Sequence, residues 1–214
     1  MAGTEKDTIK VVDLFCGAGG ASKGYANAGF TVTGVDIEPQ SNYPYDFIQA
    51  DALTFDVSGY DIIHASPPCQ AYSNLNAYNH QEYPDLIHPI REILRSSGKP
   101  YVIENVTQAP LIEPVILCGV MFDLRLYRHR GFESNLDLKE PAHYAHDWLC
   151  SRNGYLPTVE RPFMSIHGGK HSIPWLWKAC EYMGTPWMRT IREVCESIPP
   201  AYTHEIGRQL WTLI

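Results

Sequence analysis

The residue with the clearest chemical potential is Cys69, in the run Ser66-Pro67-Pro68-Cys69-Gln70. Prolines restrict the backbone, so a thiol placed directly after two of them is held in a rigid turn. A thiolate is a strong nucleophile, and an electropositive setting would lower its pKa. A solitary cysteine also packs well as a small apolar side chain, and the thiol by itself does not decide between the two. Glu104, in Glu104-Asn105-Val106, supplies a second group. A carboxylic acid beside a thiol has a use on a pyrimidine ring: it can hold N3 and the exocyclic amine while the sulfur adds to C6. The third group is the loop Phe15-Cys16-Gly17-Ala18-Gly19-Gly20. Its glycines allow close approach to a ligand and positive φ. It is neither the Gly-x-Gly-x-x-Gly dinucleotide fingerprint nor a phosphate-binding loop followed by lysine. Asp36 lies 16 residues past Gly20 and is followed by Ile37; an acid there can accept hydrogen bonds from both ribose hydroxyls. Asp51, followed by Ala52, is placed to accept from an adenine amino group.

These residues need a scaffold that gathers them. Apolar runs at 10–15, 31–36, 47–51, 60–65 and 100–104 read as strands, and 21–28 and 86–97 as helices, the latter with Leu86, Ile90, Ile93 and Leu94 on one side. Strand–helix alternation of this kind implies a Rossmann-like, doubly wound, mostly parallel α/β sheet. In such sheets ligands bind beyond the carboxyl ends of the strands. Phe15 and Cys16, Asp36, Asp51, Cys69 and Glu104 all fall there. Further on, 124–133 reads as a strand pair, with Arg128 and Arg130 on the same side of one strand, since side chains alternate with period two. Residues 134–175 lack clear periodicity, and 190–214 hold two helices split by Pro199-Pro200. The expected organisation is a catalytic and cofactor-binding core at 8–133, a small irregular appendage at 134–187, and C-terminal helices at 188–214 packing back on the core.

The 214 residues suffice for one α/β domain with a real core. The polar N-terminus and the lack of a run of roughly 20 apolar residues point away from export and from the membrane. The expected location is the cytoplasm of a bacterium or of a phage-infected host, with oligomeric state open and a monomer favoured. Six scattered cysteines with no Cys-x-x-Cys pair argue against disulfides and zinc ribbons. The net charge of −7 disfavours a wholly basic nucleic-acid binder, but it is uneven. Residues 1–100 carry 6 Lys/Arg against 12 Asp/Glu, and residues 101–214 carry 11 against 12. A nucleic-acid surface needs only a local basic face. Arg128 and Arg130 are its first candidates, and Arg152, Arg161 and Lys170 weaker ones. His143, His146, Cys150, His167 and His171 match no metal-ligand spacing and read as exposed or aromatic-packed, with no metal expected.

Asp13-Leu14-Phe15-Cys16-Gly17-Ala18-Gly19-Gly20, Pro68-Cys69-Gln70 and Glu104-Asn105-Val106 resemble, in order and interval, successive motifs of the cytosine-C5 methyltransferase family, in a compact, phage-like form without a large target-recognition domain. Arg128-His129-Arg130 is similar to a later paired-arginine motif. The resemblance is strong over roughly residues 10–132. It implies S-adenosyl-L-methionine as methyl donor, with S-adenosyl-L-homocysteine as product, and double-stranded DNA as partner. It places catalytic roles on Cys69, Glu104, Arg128 and Arg130. Cofactor contacts follow at Phe15, Cys16, Gly17, Ala18, Gly19, Gly20, Asp36, Ile37, Asp51, Ala52 and Pro68, and substrate contacts at Gln70, Ser73, Asn105 and Val106. A target atom buried in a duplex requires the base to be flipped out, and the loop from Gln70 to about Pro84 would close over it.

Two positions depart from the family pattern. Leu126 stands where a glutamine is usual, and Cys195-Glu196-Ser197-Ile198-Pro199 carries Glu196 where the closing motif has asparagine. Three other readings stay open. An amino methyltransferase shares Ser-Pro-Pro but would have an aromatic residue at Cys69. The same chemistry on RNA is compatible with Ser-Pro-Pro-Cys-Gln, a run also found in the tRNA-methylating branch of the family. A homologue that binds DNA without turnover is the third.

Overall fold

The computed structural model describes residues 8–72, 83–152 and 154–214. Seven strands form one sheet: β1 (Lys10–Leu14), β2 (Thr31–Asp36), β3 (Asp46–Gln49), β4 (Ile62–Ala65), β5 (Tyr101–Asn105), β6 (Val115–Leu117) and β7 (Arg130–Ser134). The order across the sheet is β3-β2-β1-β4-β5-β7-β6. The first five are mutually parallel, and β7 runs antiparallel to both β5 and β6. The chain reverses direction across the sheet between β1 and β4, the switch point at which open α/β sheets leave a crevice.

Strand composition explains why this sheet is covered on both faces. Every residue of β4 and β5 is buried, as a parallel sheet demands. Alternation sorts them: Val11, Ile62 and Val102 face one core, while Val12, Ile63 and Ile103 face the other. The first core is capped by α1 (Gly20–Asn27) and the C-terminal helix α5 (Pro200–Leu213). A Cβ on Gly24 would collide with Thr203 Oγ1 and the Pro200 carbonyl, so glycine is what lets these helices meet. The second core is capped by α2 (Ile87–Ser97). Its buried face is Ile87, Ile90, Arg91 and Leu94. Leu86, expected on that face, is instead the residue that caps the helix. Arg91 is buried because Glu133 of β7 receives its guanidinium through two hydrogen bonds of 2.8 and 2.7 Å.

The strand pair expected at 124–133 is different in the structure. β7 begins only at Arg130, and its hairpin partner is β6, joined through a short 3-10 turn at Gly119–Phe122. Leu126 is fully buried and bridges to Met164, which draws that stretch out of the sheet. It joins a third apolar cluster with Trp175, Leu176 and Met183 of α3 (Ile173–Met183) and Val194 of α4 (Ile191–Glu196). Among the described residues no helix is long and apolar enough to cross a membrane.

His64 lies in the middle of the fully buried β4. Its Nδ1 meets Tyr25 Oη at 3.0 Å and its Nε2 meets Ser66 Oγ at 2.9 Å. Burial pulls its pKa down from 6.5 to about 3, so the folded protein holds it neutral. The unfolded chain binds the extra proton between these values, so this stability is complete above pH 6.5 and is lost as pH falls through the window. Replacing His64 by Gln removes the proton linkage. From pH 6.5 to pH 5, the wild type should lose about 2 kcal/mol more unfolding free energy than the variant. Denaturant titrations at the two pH values measure this, and equal losses would refute it.

Candidate active site

Register brings the predicted residues level. Leu14 pairs with both Val35 and Ala65, and Ala65 pairs with Ile103. Phe15, Asp36, Ser66 and Glu104 therefore sit one step beyond a common line. Because β7 is antiparallel, its first residue, Arg130, arrives at that same end, just past the Asn105–Gly131 pair. A single cleft of about 520 Å³ is lined by Phe15, Cys16, Gly17, Ala18, Gly20, Asp36, Ile37, Asp51, Ala52, Pro68, Cys69, Gln70, Glu104, Asn105, Val106 and Arg130. Gly19, Arg128 and Ser73 are not among them. Ser73 lies outside the described residues, as does most of the loop expected to close on a base. A second cavity, about 480 Å³, opens between α2 and β7 and holds none of these residues.

On one side of the cleft the glycine loop turns into α1. Gly19 caps the helix at φ 83°, a conformation that disfavours any side chain. Gly17 N–H donates to Asp36 Oδ2 and Glu38 N–H to Oδ1, each at 3.0 Å. Asp36 thus fixes the loop while keeping acceptor capacity on both oxygens. Asp51 Oδ1 accepts from Leu53 N–H at 2.9 Å. Ile37 is 66% exposed at the cleft wall, an apolar surface suited to a flat ring. Burial pushes the Cys16 thiol far above its usual range.

On the other side stand Cys69, Glu104 and Arg130. Burial raises the Cys69 pKa; Arg130 opposes this and Glu104 reinforces it. Burial likewise raises Glu104 above 4.5, with Arg130 and a hydrogen bond from Ser66 pulling it back. Arg130 Nε lies 3.1 Å from Glu104 Oε1, an ion pair only 16% and 9% exposed. The contact completes no hydrogen bond, so Oε1 keeps its buried acceptor capacity, and Gln70 Oε1 likewise has no hydrogen-bond donor among the described residues. Two polar atoms of this kind at the floor of a cleft await a ligand's donors.

Two expected site residues make structural contacts. Arg128 does not share a strand with Arg130. It is buried, donating to the carbonyls of Ile166 at 2.9 Å, Cys195 at 2.6 Å and Ser197 at 2.7 Å. Its guanidinium holds the appendage and the closing loop. Asn105 lines the cleft, but its amide donates to Pro67 O at 2.8 Å and accepts from Val106 N–H at 2.9 Å, clamping the double-proline turn. The histidines divide into two groups. His143 and His146 meet Cys118 and His129, whereas His171 stacks on Trp175 with ring centroids 3.7 Å apart.

The sequence reading missed several cleft residues. Asp13 is fully buried, its pKa pushed up to about 7 by burial, with Oδ1 unpartnered and Oδ2 receiving Ser22. Its signal was an acid inside the apolar run Val11-Val12-Asp13-Leu14. Ser66 links neutral His64 to Glu104. Thr190, Arg192 and Glu193 join the rim beside Cys195, Ser197 and Ile198 of the closing motif. Glu196 leans out to Arg192 at 2.9 Å, and Arg192 also reaches Glu38 at 2.9 Å across the mouth. Trp187 Nε1 donates to Ala18 O at 2.7 Å, pinning the glycine loop from a distant turn.

The strand order and this cleft define the fold of the S-adenosylmethionine-dependent methyltransferases. It resembles solved structures of a DNA modification methyltransferase encoded within an E. coli prophage (TM-score 0.67, 15% identity), the S. pombe Dnmt2 methyltransferase (0.63, 14%) and the Entamoeba histolytica methyltransferase EhMeth (0.61, 14%). Each match covers 96–97% of this chain and 99% of the other. Residues 9–110 match the model of the family described as C-5 cytosine-specific DNA methylase. The reaction class that goes with the family is methyl transfer to cytosine. No curated protein matches the chain in sequence.

The different surroundings of the two arginines separate their mutants. Arg128→Ala removes a donor from one buried and two part-buried carbonyls and should cost about 3 kcal/mol of stability. Arg130→Ala, at the cleft wall, should cost under about 1 kcal/mol, since Glu104 can take up a proton, while methyl transfer falls at least about 100-fold. Chemical denaturation beside methylation rates checks both; equal destabilisation would refute the division.

Proposed function

We propose that the chain methylates C5 of cytosine in double-stranded DNA, through a covalent Cys69–C6 intermediate on a flipped base. The observation that supports this best is the convergence of Cys69, Glu104 and Arg130 at one end of a cleft whose other end carries the glycine loop and Asp36. The cofactor side fits S-adenosyl-L-methionine: Asp36 for the ribose hydroxyls, Ile37 and Ala52 beside the adenine, Asp51 toward its amino group, and the loop from Phe15 to Gly20 around the rest. When bound, the cofactor supplies a sulfonium methyl open to attack by C5.

Cys69 loses its proton to solvent and its sulfur adds to C6. Glu104, held toward its protonated form by burial, gives a proton to N3, so the ring electrons collect at C5 rather than as a buried anion. Arg130 keeps Glu104 in place and offers Cys69 the positive charge that favours thiolate. After methylation, water takes the C5 proton, the C6–S bond breaks to return Cys69, and N3 returns its proton to Glu104. Arg128 acts as a positioning residue. Residues 134–187 serve as a reduced target-recognition region, a reading supported by exposed Tyr144, Trp148 and Tyr155. The likeness to the prophage enzyme supports a bacterial or phage cytoplasmic setting. The Ser-Pro-Pro-Cys-Gln run favours RNA as the second substrate to test.

Transfer of labelled methyl to duplex DNA and to tRNA decides between them. Label should enter DNA at C5 of cytosine. Cys69→Ser should abolish it, and Glu104→Gln should slow it about 100- to 10,000-fold. Label on RNA alone would move the substrate, and label on neither would overturn the proposal.

A further inference from the structure

Outside the cleft, one cluster of side chains among the described residues is arranged as ligands. Cys118 ends the β6 hairpin arm, His129 stands just before β7, and His143 and His146 come from the irregular segment beyond it. One ligand atom from each lies within 4.8 Å of all the others. Cys118 Sγ is 3.5 Å from His146 Nε2, and His146 Nε2 is 3.2 Å from His143 Nε2. A tetrahedral zinc with sulfur at ~2.3 Å and nitrogen at ~2.0–2.1 Å sets S–N and N–N edges at ~3.5 and ~3.3 Å. Two of the observed separations already have these lengths. The other four separations are within 4.8 Å, and three of them involve His143 or His146, which are exposed.

The geometry points to a structural zinc ion held by Cys118, His129, His143 and His146. Soft thiolate with imidazoles suits zinc, and four protein ligands leave no open position for catalysis. Binding releases the Cys118 proton to water. The surroundings are those of a ligand set. The backbone N–H groups of Val120, Arg128 and Gly119 face the Cys118 thiol, and donors of this kind support a thiolate. Tyr127 stacks on His146 with centroids 4.0 Å apart, and its hydroxyl exchanges bonds of 3.0 and 2.9 Å with the Trp148 backbone. The segment 139–172 has no helix or strand among its described residues, and small irregular regions are the ones that commonly need a metal in place of a core. The ion would tie it to the turn that presents Arg130 to Glu104. This departs from the metal-free reading of the histidines, because two ligands, Cys118 and His129, lie outside the histidine-rich segment.

The test uses tag-free, full-length protein and does not depend on methyl transfer. After dialysis against a weak chelator, elemental analysis should find about one zinc per chain, as a closed four-ligand site predicts. Cobalt(II) added to chelator-stripped protein should give intense tetrahedral d–d bands and a thiolate-to-cobalt band. Cys118→Ser should lose the thiolate band, and His143→Ala and His146→Ala should lose the metal. If a variant fails to fold, the cobalt spectrum of the wild type still decides. Wild type without stoichiometric zinc or a thiolate band overturns the site, as does wild-type loading in His143→Ala and His146→Ala.

Discussion

The cleft depends on one constraint: β1, β2, β4 and β5 come level at Leu14, Val35, Ala65 and Ile103, at the switch point of the sheet. Hydrogen-bond register sets that line, and the two buried faces fix the register, since a slip of one residue would turn every core side chain outward. Glycine loop, Asp36, Cys69 and Glu104 come from distant stretches of chain, yet none needs a long excursion to reach the others. Reversal of β7 adds Arg130 to the same edge without any further loop.

The charges at that edge are balanced by burial. Glu104 is too enclosed to be an ordinary carboxylate, and Arg130 is too close for it to be a simple neutral acid. Cys69 is caught between the same two groups. A substrate ring that accepts a proton at N3 and an electron pair at C6 changes both ionisations together. The protein invests in this arrangement from behind: Asn105 clamps the double-proline turn, and neutral His64 steadies Ser66 against Glu104. Arg128 holds the closing loop, whose Ser197 packs against Gly20 of the glycine loop.

Much of this was legible in the sequence, where local signals carry it. β2 is marked to the residue by its apolar run and terminal Asp36. The glycine loop and Pro-Pro-Cys turn sit at strand ends because apolar runs lead directly into them. What escaped was non-local. Leu126 and Arg128 look like strand residues, but Leu126 is drawn into a core with Met164 and Arg128 onto three carbonyls, partners 38 or more residues away in sequence. Arg91 on the apolar face of α2 makes sense only with Glu133 beside it. Cys118 and His129 give no spacing motif with His143 and His146, because the fold and not the interval brings them together.

The central claim is that Cys69 attacks the cytosine ring. A duplex containing 5-fluorocytosine, incubated with the protein and S-adenosylmethionine, blocks release of the sulfur once the methyl has moved. Peptide mass mapping should place the methylated fluoropyrimidine on Cys69, with no adduct in Cys69→Ser. An adduct on any other cysteine, or label transferred to cytosine by Cys69→Ser, would contradict the account.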